Sequence, residues 1–177
     1  AAPAFAQTVD NGRLLASNCF QCHGTNGKPS VGGFDRLAGM SRGWFVKSRP
    51  ATWAMYVASK PQLAKVPDVG NVQDQTFSIE KVMAAKPDVV VLADWQYKAL
   101  GPEVARMEAA RIPVVVVDYN AQTLERHLAS TRILGQISGE TDRAQRIAND
   151  YRQVVETITQ RVAKAKRTPP RIYIELG

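Results

Sequence analysis

Two cysteines and a histidine stand together near the start of the sequence, as Cys19-Phe20-Gln21-Cys22-His23. Thiols at this spacing on a helical turn can form thioethers to the two vinyl groups of one haem, and the adjacent imidazole then faces the iron as proximal ligand. Leu14, Leu15 and Asn18 precede the motif at helical spacing, as the opening helix of such a site requires. Other uses of the pair compete. A thioredoxin-type pair follows a strand and opens a long helix, whereas Gly24, Gly27 and Pro29 follow here. A structural zinc site needs a fourth ligand, and the other histidine, His127, is far away in sequence. A disulfide across so short a loop stabilises little. The expected cofactor is therefore haem c, held by Cys19, Cys22 and His23. For the sixth iron position, Met40 comes soon after His23, while Met55, in Arg49-Pro50-Ala51-Thr52-Trp53-Ala54-Met55, lies at a more useful distance. The competing reading of Met55 is an apolar contact in a Trp-containing connector.

A second group of candidate residues belongs to the later part of the chain and depends on the elements that carry it. Strand candidates are Val66–Gly70, Asp88–Ala93 and Pro113–Asp118. Val89-Val90-Val91-Leu92 and Val114-Val115-Val116-Val117 are apolar at every position, as strands covered on both faces must be. Helical patterns lie between them. Ser78 can cap a helix over Ile79–Lys86 that Pro87 stops, Pro102 can open a second that ends before Pro113, and a third should follow Thr123 and run to about Leu134. Such alternation predicts an α/β fold with a parallel sheet and right-handed crossovers. Ligands of an open parallel sheet sit beyond the carboxyl ends of its strands. That rule selects the loops that begin at Asn71, at Asp94-Trp95-Gln96-Tyr97 and at Asp118-Tyr119-Asn120. Trp95 and Tyr97 could pack on a planar chelate, and Tyr119 could hydrogen-bond or ligate iron. Capping of the local core is the equally simple alternative for these aromatics.

Gly135 and Gly139 are expected to interrupt the third helix, and Glu140 and Asp142 favour a fresh N-terminus. From there Ala144, Ile147, Tyr151, Val154, Ile158, Val162 and Ala165 recur at steps of three and four. The spacing predicts one amphipathic helix over Glu140–Lys166, about 40 Å long at roughly 1.5 Å per residue. Pro169-Pro170 stops it and Arg171–Leu176 reads as a new strand. His127, inside a helical pattern, reads as a surface residue.

The 177 residues are 45% hydrophobic and 22% charged, enough to bury a core. A net charge of +7 raises nucleic acid as a partner. However, the charges are mixed in sign, and the densest basic run, Lys164-Ala165-Lys166-Arg167, has no interleaved aromatics to stack on bases. A solvated helix end explains it, and no nucleic-acid partner is expected. Ala4-Phe5-Ala6 has the small-x-small form of a signal-peptidase site, with cleavage before Gln7 and export to the periplasm; an Ala-rich start of no significance is the alternative. No stretch approaches the roughly 20 continuous apolar residues of a membrane span, so a soluble chain is expected. No nucleophile with a paired base, Gly-rich phosphate loop or carboxylate pair is present in the pattern, and no enzymatic activity is expected.

Two resemblances follow from these residues. Leu15-Ala16-Ser17-Asn18-Cys19-Phe20-Gln21-Cys22-His23-Gly24-Thr25-Asn26-Gly27 and Gly33-Phe34-Asp35-Arg36-Leu37-Ala38-Gly39-Met40-Ser41 resemble the class I cytochrome c subunit of the flavocytochrome c sulfide dehydrogenases. The resemblance ends near Arg42 and implies haem attachment at Cys19, Cys22 and His23. From Pro50-Ala51-Thr52-Trp53 onward the chain resembles the periplasmic binding proteins that serve iron-siderophore, haem and cobalamin importers. The matching text is Val69–Val82, Lys86-Pro87-Asp88-Val89-Val90, Ile112-Pro113-Val114-Val115, Leu134-Gly135 and Pro170-Arg171-Ile172-Tyr173. That resemblance implies two α/β lobes joined by a long helix with the ligand between them, an ABC-transporter permease as partner, and a metal-chelate ligand.

The expected organisation is a signal remnant at 1–6, a partial cytochrome segment at 7–48, a connector at 49–65, part of a first lobe at 66–134, the inter-lobe helix at 135–168, and the start of a truncated second lobe at 169–177. The fold expectation is thus a partial parallel-sheet α/β lobe with a long spanning helix, preceded by a small incomplete α cytochrome c segment. Three functions stay open. They are solute capture for an importer, electron transfer through haem c to a redox partner protein, and a non-functional chimera produced by rearrangement, truncation or sequence assembly.

Overall fold

A computed structural model describes residues 36–121 and 123–165, together with Arg171 and Tyr173. The described chain is helix-rich, around a small parallel sheet. It begins with α1 (Arg42–Ser48) and α2 (Pro50–Ser59), and a short 3-10 segment, Pro61–Lys65, follows. The stretch expected to be a connector is therefore helical. Pro50 and Pro61 each stand in the first turn of their helix, where a missing N–H costs nothing. Tyr56, Leu63 and Val66 form a buried cluster here, against which Met40, Phe45 and Trp53 pack. Residues 36–48, placed by sequence with the cytochrome segment, thus share a core with the segment that follows.

The expected strand at Val66–Gly70 is reduced to one parallel bridge, Asp68 opposite Met40. Met40 N–H donates to Pro67 O (3.0 Å) and Val69 N–H to Met40 O (3.1 Å). Extension is cut short because Gly70, at φ +74°, turns the chain, and the Asp68 carboxylate accepts from the N–H groups of Gly43 and Gly70, both at 3.0 Å. A Cβ at residue 70 would lie 1.9 Å from Thr76 O, so this turn requires glycine.

Helix α3 (Ile79–Ala84) starts as expected, with Ser78 Oγ accepting from Lys81 N–H at 3.2 Å. It ends two residues before the expected Lys86, whose φ of +47° is incompatible with continuation. Strands β1 (Val90–Ala93) and β2 (Val114–Val117) pair in parallel, Val90 opposite Val114 through Ala93 opposite Val117. Between them run α4 (Asp94–Leu100) and α5 (Pro102–Ala109), separated at Gly101. The Asp94–Tyr97 segment, expected as a loop, is the first turn of α4. Buried Val69, Ile79, Val82, Leu92, Leu100, Val104, Met107 and Ile112 make the main core.

Helices α6 (Leu124–Ser138) and α7 (Thr141–Lys164) form a hairpin, of which α6 packs against β2. The expectation that Gly135 interrupts the helix is overturned. Gly135 is buried inside α6, where a Cβ would sit 2.2 Å from Ala144 Cβ, so its role is close helix approach. Gly139, at φ +75°, is the residue that ends α6. Helix α7 is unbroken, as its spacing predicts, and buries Ala144 and Ala148. Beyond the Arg152–Glu125 ion pair its apolar stripe is open, with Val154, Ile158 and Val162 at 55%, 56% and 69% exposure. The predicted strand at Arg171–Leu176 lies largely outside the described residues.

Candidate functional site

A cleft of about 810 Å³ runs along the free side of β1. Its floor and walls are mainly apolar, and one end opens where β1 passes into α4. The loop after Gly70 shapes that mouth. Asn71 is buried, and its side chain is committed to its own loop: Oδ1 accepts from Asp74 N–H (2.7 Å) and Nδ2 donates to Asp74 Oδ2 (3.0 Å). Asn71 O accepts from the N–H groups of Thr76 and Phe77 at 3.0 Å each, and Asn71 N–H donates to Thr76 Oγ1 at 3.1 Å. Gln75, at φ +55°, completes the tight turn. The side chain of Asn71 therefore holds a loop whose next residues, Val72 and Gln73, line the cleft.

Helix α4 adds Trp95, 39% exposed, and Gln96 to the lining. Gln96 Oε1 accepts from Ala93 N–H at 2.9 Å, fixing the corner between β1 and α4. Trp44 and Phe45 of α1 add an edge-to-face pair with centroids 5.2 Å apart, and both line the cleft. Broad aromatic surface with a few amide groups is suited to a large, flat and partly polar ligand.

Of the residues that the sequence pointed to, Asn71 and Trp95 share this cleft. Tyr97 is 41% exposed on the same helix and is not part of its lining. Tyr119 lies elsewhere, at the end of β2. Its hydroxyl is 3.4 Å from Thr131 Oγ1 and its ring meets His127 edge-on at 4.6 Å. His127, expected at the surface, is wedged between Tyr119 and Tyr151, the latter centroid 4.7 Å away. Burial depresses the His127 pKa below its ordinary value. At the same strand end, burial pushes the Asp118 carboxyl up, but the Ala121 N–H and Arg126, whose Nη1 is 2.8 Å from Asp118 Oδ2, hold it below the usual range.

Met55, the candidate iron ligand, is 53% exposed on α2 and away from the cleft, while Met40 packs on the Tyr56 cluster. Cys19, Cys22 and His23 lie outside the described residues. Among those described, no group of three or more His, Cys, Asp or Glu side chains could hold a metal, and no helix is long and apolar enough to cross a membrane. Sequence reasoning missed Trp44 and Phe45, and reached Gln73 and Gln96 only as members of the loops it selected. The Trp44-Phe45 pair was visible as aromatic, but nothing local marked it as lining the same cleft as Trp95.

Comparison with known proteins agrees with this architecture. A family model described as periplasmic binding protein matches residues 46–177. The chain is 25% identical over 130 residues to the vitamin B12-binding protein of Pectobacterium atrosepticum, covering 72% of this chain and 43% of that protein. It is 24% identical over 127 residues to the vitamin B12-binding protein of Pectobacterium carotovorum subsp. carotovorum, with the same coverage of 72% and 43%. The TroA-like periplasmic binding protein FepB of Veillonella parvula superposes with a TM-score of 0.71 at 29% identity, over 89% of this chain and 43% of that one. The chain spans less than half the length of the curated relatives it matches.

Proposed function

Because this chain belongs to the periplasmic binding protein family, we propose that it is the solute-capturing part of an ABC importer for a large chelate: cobalamin, haem or an iron-siderophore. The observation that carries the reading is the aromatic lining of the cleft beside β1, to which Trp95, Gln73 and the α1 residues Trp44 and Phe45 all contribute. Planar or macrocyclic ligands bury their faces on such rings, and amides satisfy the ligand's polar rim. A membrane permease is the implied partner, and the periplasm the implied compartment. No catalytic step is part of this reading.

In such a protein two lobes share the ligand, and the described residues hold one face of the site. Each lost 1.4 kcal/mol of contact is about tenfold in affinity. The 177-residue chain is therefore expected to bind cyanocobalamin, haem or ferric siderophores with Kd no better than about 1 mM. Titration monitored by Trp fluorescence tests this, with Trp95→Ala weakening whatever binding is seen. Equal binding by Trp95→Ala and the unmodified chain would remove the cleft mouth from the proposal. Saturable micromolar binding that Trp95→Ala abolishes would instead show that one lobe suffices.

A second reading concerns the other end of the chain and rests on the Cys19-Phe20-Gln21-Cys22-His23 motif. We propose covalent haem c at Cys19 and Cys22, with His23 as proximal ligand and Met55 as candidate sixth ligand, giving the chain an electron-transfer function with a redox partner protein. Protein exported in a host with cytochrome c maturation should keep its haem through acid-acetone extraction, and Cys22→Ala should weaken or lose that attachment. Complete extraction from the unmodified protein rules the assignment out.

A further inference from the structure

Positive charge is spread unevenly along the chain. Between residues 36 and 67 stand Arg36, Arg42, Lys47, Arg49, Lys60 and Lys65, with no Asp or Glu, so this stretch accounts for nearly all of the net +7. It folds into α1, α2 and the 3-10 segment. Arg42 Nη1 donates to Ala64 O, which brings its guanidinium to the residue before Lys65. Lys47, Arg49 and Lys65 are exposed and form no ion pair among the described residues. Asp68, the first acid that follows, is already taken by the N–H groups of Gly43 and Gly70.

Helix α2 lies in the middle of this charge and carries none of its own over Pro50–Ser59. Tyr56 is buried and Trp53 packs on the same cluster, which fixes the inner face. The outer face is Ala51, Ala54, Met55 and Ala58, all exposed, with Met55 at 53%. Val46, 50% exposed, adds to it at the α1–α2 corner beside Lys47. Arg49 and Lys60 cap the two ends. A helix without charge on any side is one that is covered on every side. Cations around an apolar face match a layer that is anionic at its surface and apolar beneath, the order of groups in a phospholipid leaflet. Ten residues are too few to cross a bilayer but enough to lie along its interface. Nucleic acid would answer the cations but selects exposed aromatic rings, and the exposed side chains of this face are aliphatic. The first 35 residues, with Asp10 and Asp35 against Arg13 and Lys28, have no net negative charge to offer.

We propose that the outer face of α2, with its flanking cations, docks this chain on an anionic phospholipid membrane. The helix lies along the interface, Met55 and Val46 enter among the headgroups, and Lys47, Arg49 and Lys65 meet lipid phosphates. None of these residues lines the cleft, so the proposal goes beyond solute capture and does not depend on it.

The test sediments the full chain with vesicles of phosphatidylglycerol and phosphatidylcholine in equal parts, and with vesicles of phosphatidylcholine alone. Saturable binding to the first, at least tenfold weaker to the second and falling as salt rises, is expected. The double variant Lys47→Glu/Arg49→Glu should bind at least tenfold more weakly, since each cation near such a surface is worth about fivefold. Met55→Glu should also weaken binding, whereas Val162→Glu, on the open stripe of α7, should leave it unchanged. All three should keep the Tm of the unmodified chain by circular dichroism, as exposed positions allow. No binding to the anionic vesicles at low salt, equal binding to both kinds, or full binding by the double variant overturns the proposal. A large fall in Tm on Met55→Glu also overturns it, because the face would then be covered within the protein. So does a lipid-free dimer that Met55→Glu dissociates, or single-stranded DNA binding that the double variant loses while no vesicle is bound.

Discussion

His127 shows how a single residue changes meaning once its neighbours are known. It lies between the Tyr119 and Tyr151 rings, and its Nε2 is enclosed with no hydrogen-bond partner among the described residues. Charging the ring there costs desolvation, and its pKa is lowered for that reason. The sign follows directly. The unfolded chain takes up the proton first, near pH 6.5, so the stability due to neutral His127 is full above that pH and is lost as pH falls through the lower folded value. Urea midpoints measured from pH 7.5 to 5 should fall, and His127→Phe should flatten that slope while keeping the stack. An unchanged slope in the variant would show that His127 does not set the pH dependence in this range; the Asp118–Arg126 and Glu125–Arg152 pairs, whose carboxyls are held below their ordinary values, lose their contribution only at more acid pH. Asn71 makes the same point for a polar residue. Its place after a strand candidate was legible, but that its amide is occupied by hydrogen bonds to Asp74, in a turn that Gln75 closes at positive φ, was not.

Among the elements, α7 divides into two halves with different support. Its first half is locked to α6 by the Gly135–Ala144 approach, the Arg132–Gln145 hydrogen bond at 3.0 Å, and the two-pronged Arg152–Glu125 pair. Its second half carries Val154, Ile158 and Val162 into solvent. Helix propensity alone holds isolated segments of this length only marginally. Amide hydrogen exchange should therefore be slow from Ala144 to about Tyr151 and fast after Glu156. Uniform protection to Lys164 would mean that the open stripe is covered in solution. The helix as an element was legible because the three-four spacing runs through both halves without a break. Which half is supported was not, since that depends on where α6 begins.

For the whole molecule, the main core is small and centred on Met107, which is fully buried among Val69, Val82, Leu92 and Ile112. Truncating such a residue costs about 2–5 kcal/mol, against a total of about 5–15 kcal/mol for a typical domain. Met107→Ala should therefore lower the urea midpoint far more than Val162→Ala, whose effect should stay within about 0.5 kcal/mol. Comparable shifts in the two variants would mean that the open end of α7 is buried after all. The sequence by itself determined the parallel pairing of β1 with β2, the unbroken α7 and the membership of its elements in one α/β order. Burial on two faces writes itself as an uninterrupted apolar run, and burial on one stripe as a helical period, so each can be read locally. Only the tertiary structure decided that Gly135 joins two helices, that the Val66–Gly70 segment stops at one bridge, and that Trp44, Gln73 and Trp95 line one cleft. Those facts depend on which residues separated in sequence come together in space, and such meetings leave no periodic trace in the chain.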